Sequence, residues 1–233
     1  AMTLQVNPSR VERLFREGVG FDGSSVAGLA TVEDSDRLLV PALDSYRRID
    51  FGNEILGFLI GRVFTELGTR SKADSRAVLE HIVEQAKTEF GCSFLVGPEH
   101  EFFLLTDDEF SPDIHTDKAG YFHADPRDKG DAIRKRITEI LAGSGIPYEK
   151  AHHEVTASQH EINLEALDPL GAADRTVFFN YITQKVAEEA GYHATFMPKP
   201  FNNQNRNALH MHLSMQDESG ANLFYEEGAR GNL

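Results

Sequence analysis

Three stretches of this sequence alternate apolar and polar side chains with a period of two, and each gathers its chemistry on one side. In "PEHEFFLL", Glu99 and Glu101 share a face at the head of the apolar run Phe102 to Leu105. In "SQHEINLEAL", Ile162 and Leu164 share one face, while Gln159, Glu161, Asn163 and Glu165 share the other. In "ALHMHLSM", Leu209, Met211, Leu213 and Met215 alternate with His210, His212 and Ser214. Side chains of a strand point alternately to its two faces, so residues two apart line one surface. A fourth acid, Glu154, follows His152 and His153.

Taken singly, such a stretch is most often a half-solvated strand. Three in one sheet would present a multi-carboxylate surface. Mg²⁺ and Mn²⁺ prefer carboxylate and water oxygens, and accept an imidazole. Without a cation, carboxylates crowded this way repel, and some keep protons. The chain has 37 acidic against 23 basic residues, a net charge of −14. That sign opposes a nucleic-acid surface. No apolar run reaches the about 18 residues of a membrane helix. The opening "AMTLQVNPSR" has no apolar signal core, and the one cysteine, Cys92, allows no internal disulfide. A cytoplasmic protein without membrane partners is expected.

With 233 residues, the chain has length for one or two domains. "DRLLVPALD" and "GFLIGRVF" read as strands. Asp74 caps an expected helix with Leu79, Ile82, Val83, Ala86 and Phe90 at helical spacing, ended by Gly91. "SFLVG" and "EHEFFLL" follow as strands. A second helix carries Ile133, Ile137, Ile140 and Leu141 on one face. "PYEKAHHEV" and "QHEINLEAL" pair as strands. A third helix is expected from about 172 to 190, with "HATFM" and "ALHMHLSM" as the last strands. The pattern predicts an α+β fold with a largely antiparallel sheet, divided into 1–72 and 73–233.

The ordered blocks "GFDGSSVAG", "GPEHEFFLL", "AHHEVTASQHEINL" and "FMPKPFNNQNRNALHMHLSM" resemble the glutamine synthetase family, and "GYFHADPRD" (120–128) is similar to its segment between the first two metal strands. The resemblance implies a small, partial β-grasp domain, followed by part of a catalytic domain with a curved sheet. It implies an ATP-dependent glutamate–ammonia ligase working through γ-glutamyl phosphate, with two or more Mg²⁺ or Mn²⁺ per site. It also implies large homo-oligomeric rings with active sites between subunits. Carried over by position, Glu101, Glu154 and Glu161 resemble ligands of the metal nearest glutamate, and Glu99 and His210 those of the nucleotide metal. Glu149, His212 and Ser214 match ATP-contacting positions, and Asn205 and Arg206 the pair that contacts glutamate. Asp22 and Ser25 match a loop lent to a neighbouring subunit, where the aspartate takes a proton from ammonium.

Two glycines of the family's last block are replaced here by Arg206 and Ala208. This leaves two readings of Arg206: contact with a different carboxylate, or a side chain in solvent. A further metal carboxylate, substrate arginines and an acidic loop of the family are not found before Leu233, nor is the family's opening strand before "LQVNP". The chain as given is therefore expected to be inactive alone. Two alternatives stand beside the ligase: a γ-glutamyl ligase for another amine, such as a polyamine, and a non-catalytic structural or regulatory family member.

Overall fold

The computed structural model describes residues 2–66, 68–106, 119–126 and 128–228. They form two compact units, one of Ala1–Arg48, Gly57–Phe94 and Met215–Leu233, the other of Ile49–Leu56 and Leu95–Ser214.

The first unit is built on a four-stranded sheet in chain order: β1 (Val19–Asp22), β2 (Asp36–Asp50), β3 (Ile55–Glu66) and β4 (Thr69–Arg70). Gly61 is required by close approach rather than by its dihedral angles: a Cβ there would lie 2.3 Å from Leu39 Cδ1. After a short α1 (Val11–Glu17), the helix expected behind Asp74 is α2 (Ser75–Phe90). The Asp74 carboxylate caps it by accepting the Arg76 N–H at 3.0 Å, and Gly91 ends it in the left-handed region at φ 61°. Of its apolar stripe only Ala86 is buried, and Ile82 and Phe90 are exposed.

The second unit is organised around β5 (Cys92–Leu105). The two strands expected here are one, because the chain stays extended through Gly97 and Pro98; ahead of the proline, Val96 exchanges both backbone hydrogen bonds with Leu167. The sheet order is β6 (Tyr148–His153), β7 (Gln159–Leu164), β5, β8 (His193–Thr195), and β9 (Leu209–Asp217) also pairs with β5. The β6–β7, β7–β5 and β5–β8 pairs are antiparallel. The expected second and third helices are α3 (Asp131–Gly143) and α4 (Pro169–Glu189). α4 starts earlier than the apolar period suggests, because Asp168 accepts the Gly171 N–H at 3.0 Å and Pro169 suits the first turn.

Both faces of β5 are buried at its far end, which explains the four-residue apolar run. Phe102 packs with Phe179 of α4 and with Phe196, at ring centroid distances of 6.2 and 5.8 Å. Phe103 turns to the other face and meets Phe201 at 5.3 Å, forming a small cluster with Leu105. Ile162 and Leu164 of β7, and Ile133, Ile137, Ile140 and Leu141 of α3, are buried. The near end of β5 is thereby fixed with Glu99 and Glu101 on the face away from His100 and Phe102.

Candidate metal centre

Strand register brings the carboxylates together. Glu101 lies opposite Glu161, and Glu161 lies opposite His152. Glu99 lies opposite Asn163. Glu154 sits just past β6, where its N–H donates to the Gln159 carbonyl at 2.7 Å and closes a tight reversal containing Ser158 at φ 62°. The reversal returns Glu154 to Glu161: ligand atoms of His152, Glu154 and Glu161 all lie within 4.8 Å of one another. His152 Nδ1 is 3.7 Å from Glu154 Oε1, and its Nε2 is 3.6 Å from Glu161 Oε1. Glu101 Oε2 accepts from Gln159 Nε2 at 2.9 Å and from the Ala208 N–H at 3.1 Å.

A second group surrounds Glu99. His212 Nε2 lies 3.0 Å from Oε1, and His210 Nδ1 lies 3.3 Å from Oε2. Asn163 Nδ2 donates to Oε1 at 2.5 Å, and Lys150 Nζ stands 3.8 Å away. Here β9 supplies the imidazoles and β5 the carboxylate.

The electrostatics are those of a crowded anionic site. Burial pushes the Glu101 pKa up, and the Glu154 and Glu161 charges add to the rise. Burial also pushes Glu154 up, with Glu161 beside it. Burial opposes ionisation of Glu161 as well, but contact with His152 holds its carboxyl below the usual range. His152 in turn is disfavoured as a cation by burial, yet Glu161 raises its pKa above the ordinary imidazole value. The folded chain thus concentrates protons where a divalent cation would displace them. Three carboxylates and an imidazole, carried by β5, β6, β7 and the reversal between β6 and β7, are a donor set for hard Mg²⁺ or Mn²⁺.

A pH dependence follows. Glu101 and Glu154 bind protons more tightly folded than unfolded, so these two groups favour the metal-free fold as pH falls from neutral through their raised values. The same protons compete with a cation. The rise in Tm produced by Mn²⁺ is expected to shrink steadily as pH falls from neutral toward the ordinary carboxylate range. A Tm rise constant over that range would contradict proton competition at this centre.

The structure therefore brings together Glu101, Glu154 and Glu161 with His152, and Glu99 with His210 and His212. It places His100 elsewhere: its Nε2 lies 3.2 Å from Thr176 Oγ1, its ring stacks 4.3 Å from Phe179, and burial pushes its pKa down to about 4. Glu149 is exposed on β6, at the register shift between Tyr148 and Lys150. Ser214 follows His210 and His212 on one side of β9. Asn205 and Arg206 are exposed in the turn before β9, and the Arg206 carbonyl accepts from Gln159 Nε2 at 2.9 Å. Asp22 and Ser25 lie in the other compact unit, where Asp22 accepts the Ser24 N–H at 2.9 Å and the Ser25 hydroxyl at 3.1 Å. The Ser24 hydroxyl bond holds that carboxyl below its usual range. Arg127, inside the 120–128 block, lies outside the described residues.

His152, Lys150, Gln159 and Asn163 belong to this constellation and were not among the site residues expected from sequence. For Gln159 and Asn163 the signal was present: each is two residues from Glu161 on one strand.

A family model of the glutamine synthetase catalytic domain matches residues 72–233, and a model of the glutamine synthetase beta-grasp domain matches residues 2–66. The glutamine synthetase of Halobacterium salinarum is 36% identical over 229 residues, which cover 96% of this chain and 50% of that protein. The glutamine synthetase of Thermus thermophilus is 35% identical over 237 residues, covering 99% and 53%. Among solved structures, Plasmodium falciparum glutamine synthetase superposes with a TM-score of 0.83 at 26% identity, covering 97% of this chain and 49% of that one. GmaS without ligand superposes with a TM-score of 0.85 at 29% identity, covering 96% and 53%. The chain spans about half the length of the curated relatives it matches.

Proposed function

We propose, from the premise that this chain belongs to the glutamine synthetase family, an ATP-dependent ligase that joins ammonia to the side-chain carboxylate of glutamate. The observation that carries the proposal is the array of acids and imidazoles on and beside β6, β7, β5 and β9, in a chain that one family model matches over residues 2–66 and another over residues 72–233.

In this reading Glu101, Glu154 and Glu161 hold the cation nearest glutamate, and Glu99 and His210 hold the cation nearest the nucleotide. Glu149, His212 and Ser214 contact ATP, and Asn205 and Arg206 contact glutamate. Asp22 and Ser25 serve a neighbouring subunit of a ring-shaped homo-oligomer, where Asp22 accepts a proton from ammonium. Mg²⁺ or Mn²⁺, when bound by these residues, would offset negative charge on the transferring phosphoryl group. The γ-phosphoryl group of ATP passes to the glutamate side-chain carboxylate, releasing ADP. Ammonia then attacks the acyl carbon, and phosphate leaves. The chain's own residues fix the reactants and keep the carboxylates at set positions.

The domains run from 1 to 72 and from 73 to 233, and the protein works in the cytoplasm. Because the 233 residues span half the length of the curated relatives, the chain alone is expected to bind cations without robust turnover.

The test is phosphate release by the protein at the full length of its relatives, supplied with ATP, glutamate and a panel of amines. Release that depends on ammonia and yields glutamine supports the proposal. Release only with methylamine or a polyamine overturns it in favour of another γ-glutamyl ligase, and no release with any amine favours a non-catalytic role.

A further inference from the structure

Two buried amides alternate with the carboxylates of the centre. Gln159 and Asn163 are 1% and 2% exposed and stand two residues before and two after Glu161 on β7. Asn163 Nδ2 donates to Glu99 Oε1 at 2.5 Å. Gln159 Nε2 lies 2.9 Å from Glu101 Oε2, 2.9 Å from the Arg206 carbonyl and 3.2 Å from Asn207 Oδ1. All these partners are acceptors, so each amide must present its nitrogen to them. Asn207 is fixed in the matching sense, because its own Nδ2 donates to the carbonyls of Thr195 and Met197 at 3.0 and 3.1 Å. The opposite atoms, Gln159 Oε1 and Asn163 Oδ1, are buried and have no hydrogen-bond partner among the described residues. A buried carbonyl left this way is costly, so the two side chains hold their orientation for the donor end.

We infer that Gln159 and Asn163 are positioning residues: Gln159 orients Glu101 for one cation, and Asn163, whose amide also lies against Glu161, chiefly orients Glu99 for the other. This rests on the two-cation reading above. A neutral N–H donor fixes the angle of a carboxylate without cancelling the charge that a cation needs, which a lysine or arginine in its place would do. On Glu101, both Gln159 and the Ala208 N–H use Oε2. Among the described residues Oε1 takes no hydrogen bond, and it is left for the cation. Gln159 also ties the turn that carries Arg206 to this carboxylate, so the turn and the ligand are set by one side chain.

The experiment measures Mn²⁺ isotherms by calorimetry, with the Tm of the metal-free protein as a fold control. The variants are Asn163→Leu and Gln159→Met, which keep shape and remove the donors. Each is expected to weaken one class of Mn²⁺ site about tenfold or more, a different class for each variant, and to affect the other class much less. In a Glu99→Gln background, Asn163→Leu is expected to add no further loss at the class served by Glu99. Equal weakening of both classes, or an Asn163→Leu effect that persists in the Glu99→Gln background, would show a merely structural role and overturn the inference. Two intact classes in both variants would overturn it while leaving the functional reading in place. A wild-type protein that binds no Mn²⁺ would sink both.

Discussion

Glu161→Gln is expected to weaken Mn²⁺ binding by at least about 100-fold while lowering the stability of the metal-free protein only slightly at neutral pH. Glu161 stands opposite both Glu101 and His152 in the ladder and shares a ligand cluster with Glu154. In the group of Glu101, Glu154, Glu161 and His152, it adjoins each of the other three. Partners that merely support a metal ligand are commonly worth 10–100-fold in affinity, so loss of a central ligand sets a higher floor. The metal-free fold is expected to lose a little stability at neutral pH, because contact with His152 holds the Glu161 carboxyl below its usual range and its charge therefore favours the fold there; relief of Glu101 and Glu154 only partly offsets that loss. Calorimetric Mn²⁺ titration and thermal unfolding together check the pair of effects. A loss of only a few-fold in affinity would remove Glu161 from the centre of this account.

Phe102→Ala is expected to do the reverse at first cause: to destabilise the fold by about 3–5 kcal/mol, and to weaken the centre only through the strand that carries it. Phe102 is completely buried, and its ring meets those of Phe179, Phe196 and His160. Truncation leaves a cavity between β5 and α4, where three rings have no small rearrangement available to fill it. Urea unfolding at neutral pH reads the loss. A cost under about 1 kcal/mol would mean that β5 is anchored elsewhere, because surface substitutions fall in that range.

The contrast between these two substitutions reflects what was legible in the sequence. Period-two alternation was enough to put Glu99 with Glu101 and Glu161 with Gln159 and Asn163, because the pleat leaves no other choice. Cap chemistry placed α2 between Asp74 and Gly91. Register was not legible. That Glu101 faces Glu161, and that Glu154 folds back over it, depends on the reversal around Ser158 and its left-handed backbone, which no spacing rule announces. Nor could alternation show which apolar face is covered. Leu209, Met211 and Leu213 share a face of β9 as expected, yet each is about half exposed, while Phe103, on the polar side of β5, is completely buried against Phe201. The amides of Gln159 and Asn163 were seen to share the acidic face, but their donor role needed cross-strand distances.

The central claim is that the face shared by β6, β7, β5 and β9 holds two cations, one of them tied to nucleotide. The most direct measurement is Mn²⁺ titration of the protein with and without ATP, read by calorimetry. The account predicts two classes of site without nucleotide, the class served by Glu99 and His210 tightening when ATP is present, and the class served by Glu101, Glu154 and Glu161 lost in Glu161→Gln. A single class, unmoved by ATP and retained in Glu161→Gln, would contradict it.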